Sequence, residues 1–118
     1  MYNECQVMYK NLAIFEKTYD LILWLYPTIN KFPKSRRFVL GQQIENTSLE
    51  LLEGIIEANS EKNKLFYLKK LSLKLDRLRI LIRLSKDFKF ISIRQYEFVS
   101  GHVNEIGKML GGWIKSVS

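Results

Sequence analysis

The sequence predicts an all-α protein, folded as a single up-down-up-down bundle of four helices. Three observations lead to this prediction. The chain of 118 residues is long enough for one core but short for two domains. Only two prolines and six glycines interrupt it. Apolar residues recur every three or four positions in four long segments, which predicts helices over residues 12–30, 36–59, 61–86 and 93–114 with short connections.

The first predicted helix is placed by an apolar stripe with helical spacing. The stripe consists of Phe15, Tyr19, Ile22, Tyr26 and Ile29. Pro27 lies in its last turn and should kink the helix or end it early, because proline has no N–H to donate. A loop over residues 31–34 follows. Ser35 is the predicted N-cap of the second helix, because its hydroxyl can accept a bond from a free backbone N–H.

The other three helices are placed by their apolar faces and by serines at their starts. Small residues on the second helix, Gly41 and Gly54, should let a neighbouring helix approach closely. Ser60 and Ser92 are the predicted N-caps of the third and fourth helices. The core face of the second helix is Leu40, Ile44, Leu51 and Ile55, and the heptad seam of the fourth is Tyr96, Val99, Val103, Ile106, Leu110 and Trp113.

Composition narrows the class of protein. The net charge is +7, which favours a polyanionic partner. The single cysteine, Cys5, allows neither an internal disulfide nor a thiolate metal cluster, and fits a reducing compartment. The N-terminus does not resemble a signal peptide, and the longest apolar run, residues 21–26, is too short to span a membrane. These features predict a soluble, cytoplasmic protein that does not enter a membrane.

The positive charge is concentrated in one segment. Residues 61–89 carry ten bases and three acids, whereas the other 89 residues carry nine of each. The whole excess therefore lies on the third predicted helix and its exit. Lysines and arginines on a helix often form only a solvated face. A single helix with nearly unbalanced charge instead favours a surface that attracts nucleic acid.

Angular placement at 100° per residue divides the third helix into four surfaces. The core face is Leu68, Leu71, Leu75, Leu78 and Ile82. An opposed outer stripe is Phe66, Leu73, Ile80 and Leu84. One basic flank is Lys70, Lys74 and Arg77, and the other is Arg79, Arg83 and Lys86. A small bundle cannot bury both apolar faces of one helix, so the outer stripe predicts an interface with another copy of the chain.

The sequence predicts no enzyme, metal or cofactor. His102 is the only histidine, and although Glu105 lies one turn further along, no nucleophile with a recognisable setting accompanies them. Metal binding would need at least three suitable ligands, and the chain has no cluster of histidine and cysteine. The glutamates of the second helix are expected to be solvated or to pair with bases. They are Glu45, Glu50, Glu53 and Glu57.

Two motifs resemble a known family. FPKSRRFVLGQQI at residues 32–44 and EIGKMLGGW at residues 105–113 are similar to sequences of Avd, the accessory variability determinant of diversity-generating retroelements. The second motif is the more specific, because its glycines and tryptophan have no generic structural reason to occur together. Four-helix proteins encoded in intervening sequences of bacterial ribosomal RNA share the bundle and a Phe-Pro-Lys type of sequence before the second helix. They are the alternative family.

The resemblance implies a function. Avd proteins are four-helix bundles that form barrel-shaped pentamers with a basic surface, bind nucleic acid and the reverse transcriptase of the element, and support mutagenic retrohoming without catalysis of their own. The two basic flanks are therefore the predicted binding surface for RNA, cDNA or the reverse transcriptase. The choice between RNA and DNA stays open. A scaffold that oligomerises and binds only protein is the second hypothesis.

Overall fold

A computed structural model describes the backbone of residues 4–118 and the side chains from Ala13 onward. Four long helices form the fold: α1 (Glu4–Ile29), α3 (Gln42–Ser60), α4 (Lys64–Asp87) and α5 (Ile93–Val117). A short helix, α2 (Lys34–Arg36), and a π-helical turn (Arg37–Gly41) connect α1 to α3. Within residues 4–118 there is no strand, so the predicted all-α class is confirmed. The side chain of Cys5 lies outside the described part.

The helices run alternately up and down around one core. Both α3 and α5 pack against α1 and against α4, so α1 and α4 occupy opposite corners of the bundle. The connections over residues 30–41 and 88–92 meet at the same end, where the rings of Phe32 and Phe90 lie 5.3 Å apart. We call this the double-loop end. The third predicted helix corresponds to α4, and the fourth to α5.

The predicted core face of α1 is wrong by about one position. The buried residues are Ile14, Thr18, Leu21, Leu25 and Ile29. Only Ile29 belongs to the predicted stripe, and Tyr19 is 49% exposed. Two apolar stripes lie side by side on α1, so spacing alone could not choose between them. The hydroxyl of Thr18 donates to the carbonyl of Ile14 at 2.8 Å, which satisfies the polar group in the core.

The ends of α1 also differ from the prediction. The helix begins at Glu4, eight residues before the predicted start. It continues two residues beyond Pro27 and ends at Ile29, one residue before the predicted end.

Two of the three predicted serine caps are wrong. Pro33 precedes α2, so Ser35 lies inside that helix. Ser60 is the last residue of α3, and its hydroxyl donates back to the carbonyl of Glu57 at 2.9 Å. A serine hydroxyl bonds equally well to a carbonyl in a last turn, so the residue type did not distinguish an end from a start. Ser92 is confirmed, because it forms a reciprocal capping box with Gln95 at the start of α5.

Two glycines allow close approach of neighbouring helices, as predicted: Gly41, at the end of the π-helical turn before α3, and Gly54, within α3. A Cβ added to Gly41 would lie 2.7 Å from Cγ2 of Ile29 on α1. A Cβ added to Gly54 would lie 2.2 Å from Cδ2 of Leu71 on α4. Both distances are far below van der Waals contact, so each glycine sets how closely two helices pack.

The end of α4 is a tight, hydrogen-bonded turn. The N–H of Phe90 donates to the carbonyl of Ser85 at 2.8 Å, and that of Lys89 to Lys86 at 2.9 Å. Lys89 adopts a φ of 65°, a position that glycine usually occupies in this motif. The turn leaves Phe88 exposed and directs Phe90 back against the core.

Candidate polyanion-binding surface on α4

The two apolar faces of α4 differ in burial as the angular placement predicts. Its core residues Leu68, Leu71, Leu75, Leu78 and Ile82 are all buried. The outer stripe remains open to solvent in the single chain. The exposed fractions are 53% for Phe66, 71% for Leu73, 62% for Ile80 and 38% for Leu84. The stripe spans about 27 Å of helix, since each residue adds about 1.5 Å.

The first basic flank lies beside α3. Lys74 Nζ contacts Glu50 Oε1 at 2.9 Å, which confirms one of the expected pairs between a glutamate of this helix and a base. The guanidinium of Arg77 donates to the side-chain oxygen of Gln43, also on α3. Lys70 Nζ lies 4.9 Å from the centre of the Phe66 ring, within cation–π range.

The second basic flank lies beside α5 and contains two aspartates. Arg79 contacts Asp76 at 2.7 Å, while Arg83 lies 3.9 Å from a carboxylate oxygen of Asp87. Lys86 Nζ lies 3.4 Å from Asp87 and 4.6 Å from the centre of the Tyr96 ring on α5. Three bases and two acids thus share this flank.

The two flanks therefore differ in how fully their charge is compensated. Among the described residues, neither Lys70 nor Arg77 forms an ion pair, whereas each base of the second flank does. Exposed ion pairs stabilise a protein by about 0–1 kcal/mol, so a phosphate can displace such a carboxylate at small cost. The first flank presents more uncompensated charge, and the second can be opened by an incoming anion.

The first glycine of the EIGKMLGGW motif, Gly107, makes room for an arginine. A Cβ added to Gly107 would lie 2.5 Å from a guanidinium nitrogen of Arg79, so the guanidinium lies over the bare backbone of α5. Gly111 and Gly112 have no such neighbour within 4 Å. Contacts within one chain explain Gly107 but not the other two glycines.

Sequence reasoning missed a second basic cluster, at the double-loop end. Lys31, Lys34, Arg36 and Arg37 lie in a stretch, residues 21–44, that contains no acid. The nine bases and nine acids outside residues 61–89 sum to zero, so the positive charge of this cluster is hidden by acids elsewhere in the chain. A short sliding window of charge would have found it. We call these four residues the connection cluster.

One base of the 61–89 segment is committed to the fold. Lys64 Nζ donates to the carbonyls of Ala58, Asn59 and Glu61 at 3.1, 2.9 and 2.9 Å. It satisfies the free carbonyls at the end of α3 and complements the helix dipole there.

His102 and Glu105 both bind Lys17 on α1. His102 Nε2 lies 2.7 Å from the backbone carbonyl of Lys17, and Glu105 Oε2 lies 2.9 Å from Lys17 Nζ. The hydrogen bond from Lys17, and then its positive charge, lower the pKa of Glu105 below the ordinary value. These contacts tie α5 to α1.

Replacing Lys17 with methionine should raise the pKa of Glu105 toward its ordinary value. The depressed pKa means that the pair stabilises the fold above the unfolded-state pKa and that this contribution disappears as the pH falls through the folded pKa. An NMR titration of the Glu105 carboxyl carbon measures the shift. Lys115→Met is the matched control, because Lys115 is not among the groups that lower this pKa. An unchanged titration in Lys17→Met would contradict the pairing.

In residues 4–118, no helix combines the length and hydrophobicity that crossing a membrane requires. Among the side chains from Ala13 onward, no three histidine, cysteine, aspartate or glutamate side chains come together as ligands for a metal ion.

The fold and the surface define a class: a basic four-helix bundle whose charge flanks an uncovered apolar stripe. The chain belongs to the bAvd-like family, whose model matches residues 12–117. That match extends over both motifs that resemble Avd and confirms the resemblance. No curated protein matches the sequence.

Proposed function

We propose that this protein is a non-catalytic accessory protein of a diversity-generating retroelement. It binds nucleic acid, RNA or cDNA, together with the reverse transcriptase of the element, and thereby supports mutagenic retrohoming. Membership of the bAvd-like family supports the accessory role. The observation that carries nucleic-acid binding is the net charge of +7 over residues 61–89, six of whose bases form the two flanks of α4.

The chemistry of the flanks suits phosphates more than bases. Lysine and arginine side chains on an exposed helix contact the backbone of a nucleic acid from many orientations. Among the described residues, Lys70 and Arg77 have no carboxylate to give up before they bind a phosphate, whereas Arg79, Arg83 and Lys86 would exchange an aspartate for it. Binding of this kind depends weakly on sequence and strongly on salt.

We also propose that the chain acts as a homo-oligomer, and as a pentamer by the resemblance to Avd. The outer stripe of α4 supplies one apolar surface. A ring requires that this stripe meet a different surface on the next copy. Four exposed apolar side chains on α1 and α3 are available for that contact: Tyr19, Leu23, Leu49 and Ile56. A ring of subunits would repeat the basic flanks and raise avidity for a long polyanion.

A salt series tests the nucleic-acid part of the proposal. The protein is purified in high salt to remove copurifying material, and its affinity for a labelled single-stranded RNA is measured between 50 and 200 mM salt. Six phosphate contacts on a single strand predict a loss of affinity of about 2.5 orders of magnitude over that range. A flat response, or no binding at all, would favour the scaffold that binds only protein.

Charge-reversal variants test whether the nucleic acid binds to the flanks of α4. Arg79→Glu with Arg83→Glu should weaken RNA binding by more than the control, Lys108→Glu with Lys115→Glu. The control makes the same change in net charge on exposed residues of α5 that are outside the flanks. Arg79→Gln with Arg83→Gln removes the charge without crowding acids beside Asp76 and Asp87. Equal losses in flank and control variants would remove α4 from the proposal.

A further inference from the structure

The double-loop end contains an apolar groove that the proposed function does not use. It lies between the π-helical turn and the end of α4 and has a volume of about 520 Å³. Its walls are Val39, Leu40, Leu81, Phe88 and Phe90, with Arg36 and Gln43 as the polar lining residues. The volume falls within the ~300–1,000 Å³ that is usual for ligand sites.

The local backbone explains why the groove is open. The π-helical turn inserts an extra residue into the connection, as the i to i−5 bond from the N–H of Gln42 to the carbonyl of Arg37 shows. Val39 is left 69% exposed on one wall. On the other wall, the turn around Lys89 leaves Phe88 61% exposed. Two apolar walls are thus held apart by hydrogen-bonded backbone, and the groove is accessible along one side.

The apolar walls of the groove favour an apolar side chain as the bound group. A nucleobase carries polar atoms along its edge, and burying them against Val39, Leu40 and Leu81 without partners costs about 1–3 kcal/mol for each group. Among the described lining residues, only Arg36 and Gln43 offer hydrogen-bonding side chains to such an edge, and the side-chain oxygen of Gln43 already accepts from Arg77. An aliphatic or aromatic side chain fills the same space without that cost, and gains from leaving water.

The charge around the groove favours particular residues on either side of the bound apolar side chain. Arg36 lines the groove and belongs to the connection cluster, a stretch with four bases and no acid. Lys89 lies between the two wall residues Phe88 and Phe90 in sequence. Asp87, the acid beside Phe88, already contacts Arg83 and Lys86. Carboxylates on a partner are therefore the complementary charge.

We infer that this groove docks a segment of a protein partner that inserts a large apolar side chain flanked by acidic residues. The apolar walls supply affinity, and Arg36 with its neighbours supplies orientation and selectivity for carboxylates. The groove adjoins the first flank through the bond from Arg77 to Gln43, but none of the six flank residues lines it. The inference therefore stands without the proposed binding of nucleic acid, and each can fail alone.

Synthetic peptides test the inference on the full chain. Twelve-residue peptides carry a central Phe, Leu, Trp or Ala within acidic, neutral or basic flanking residues. Binding is measured by fluorescence anisotropy, and its location by amide chemical shifts of Val39, Leu81 and Phe90. Acidic peptides with a central apolar residue should bind at least tenfold more tightly than the alanine or basic peptides. The inference is wrong if no acidic peptide binds with a Kd below about 1 mM, which corresponds to a binding free energy of about −4 kcal/mol.

Adjacent substitutions separate the groove from general electrostatics. Val39→Asp should weaken the acidic peptide by at least tenfold, because it breaks the apolar wall and repels the carboxylates. Phe38→Asp is the matched control, since Phe38 is 77% exposed but is not a wall of this groove. Equal losses in both variants would overturn the groove as the site. Displacement of the bound peptide from Val39 and Phe90 by oligo(U) would mean that nucleic acid occupies it, and would also overturn the inference.

Discussion

Replacing Leu78 with alanine should lower the free energy of unfolding by about 2–5 kcal/mol. Leu78 is completely buried on α4. Alanine is the best helix former, so the loss comes from removed apolar contact and from the cavity that remains, and helix propensity does not add to it. Urea unfolding followed by circular dichroism measures the change. A loss below about 1 kcal/mol would contradict the burial of this face.

Leu73→Ala is the matched control on the opposite face of the same helix. Leu73 is 71% exposed, so at a concentration where the chain is monomeric its stability should change by no more than about 0.5 kcal/mol. If a second copy covers the outer stripe, the loss in Leu73→Ala should grow with protein concentration, because association stabilises the folded state by mass action. The loss in Leu78→Ala contains a part that does not depend on concentration. A loss in Leu73→Ala, relative to the original chain, that does not change with protein concentration would argue against the proposed interface.

Gly54→Ala should be less stable than Gly111→Ala, because only at Gly54 would the added Cβ meet a neighbouring side chain. Alanine improves helix propensity by about 1 kcal/mol at either position. At Gly54 the new Cβ would meet the buried side chain of Leu71, and relieving such overpacking costs about 1–3 kcal/mol. At Gly111 the Cβ meets nothing within 4 Å. The difference between the variants therefore measures overpacking alone.

Thermal and urea unfolding of the two glycine variants provide that difference. We expect Gly111→Ala to be more stable than the original chain and Gly54→Ala to be less stable than Gly111→Ala by about 1–3 kcal/mol. If the two variants have the same stability, α3 and α4 do not pack at the distance that the structure shows. If Gly111→Ala is stable but weakens self-association, its bare backbone serves an interface between copies.

Much of α4 was predictable because its sequence separates its faces. Bases lie between the core leucines and the outer stripe, so only one assignment leaves every charge at the surface. The buried set and the exposed set both follow from that pattern. On α1 the buried stripe and its neighbour, which includes Tyr19 and Ile22, are both apolar, and no charge marks the boundary between them. The choice depended on where α3 and α5 lie, which is tertiary information.

The candidate surface was predictable in composition but not in pairing. The six basic residues of the two flanks could be placed on the two sides of α4 by angle alone. Which of them are compensated depended on contacts with other helices and on side-chain direction: Glu50 reaches Lys74 from α3, and Asp76 and Asp87 both turn toward the flank beside α5. The connection cluster is visible in a short window of sequence, whereas the apolar groove beside it needed the two loops to meet in space.

The sequence by itself determined a single all-helical bundle, the position of its excess charge and two opposed apolar faces on one helix. Periodicity and charge are properties of a helix taken alone, so they can be read before its neighbours are known. The tertiary structure decided the core face of α1, the partners of the basic side chains, the close contact of Gly107 with Arg79 and the apolar groove. Each of these depends on residues far apart in the chain, and their contact exists only after the helices have packed.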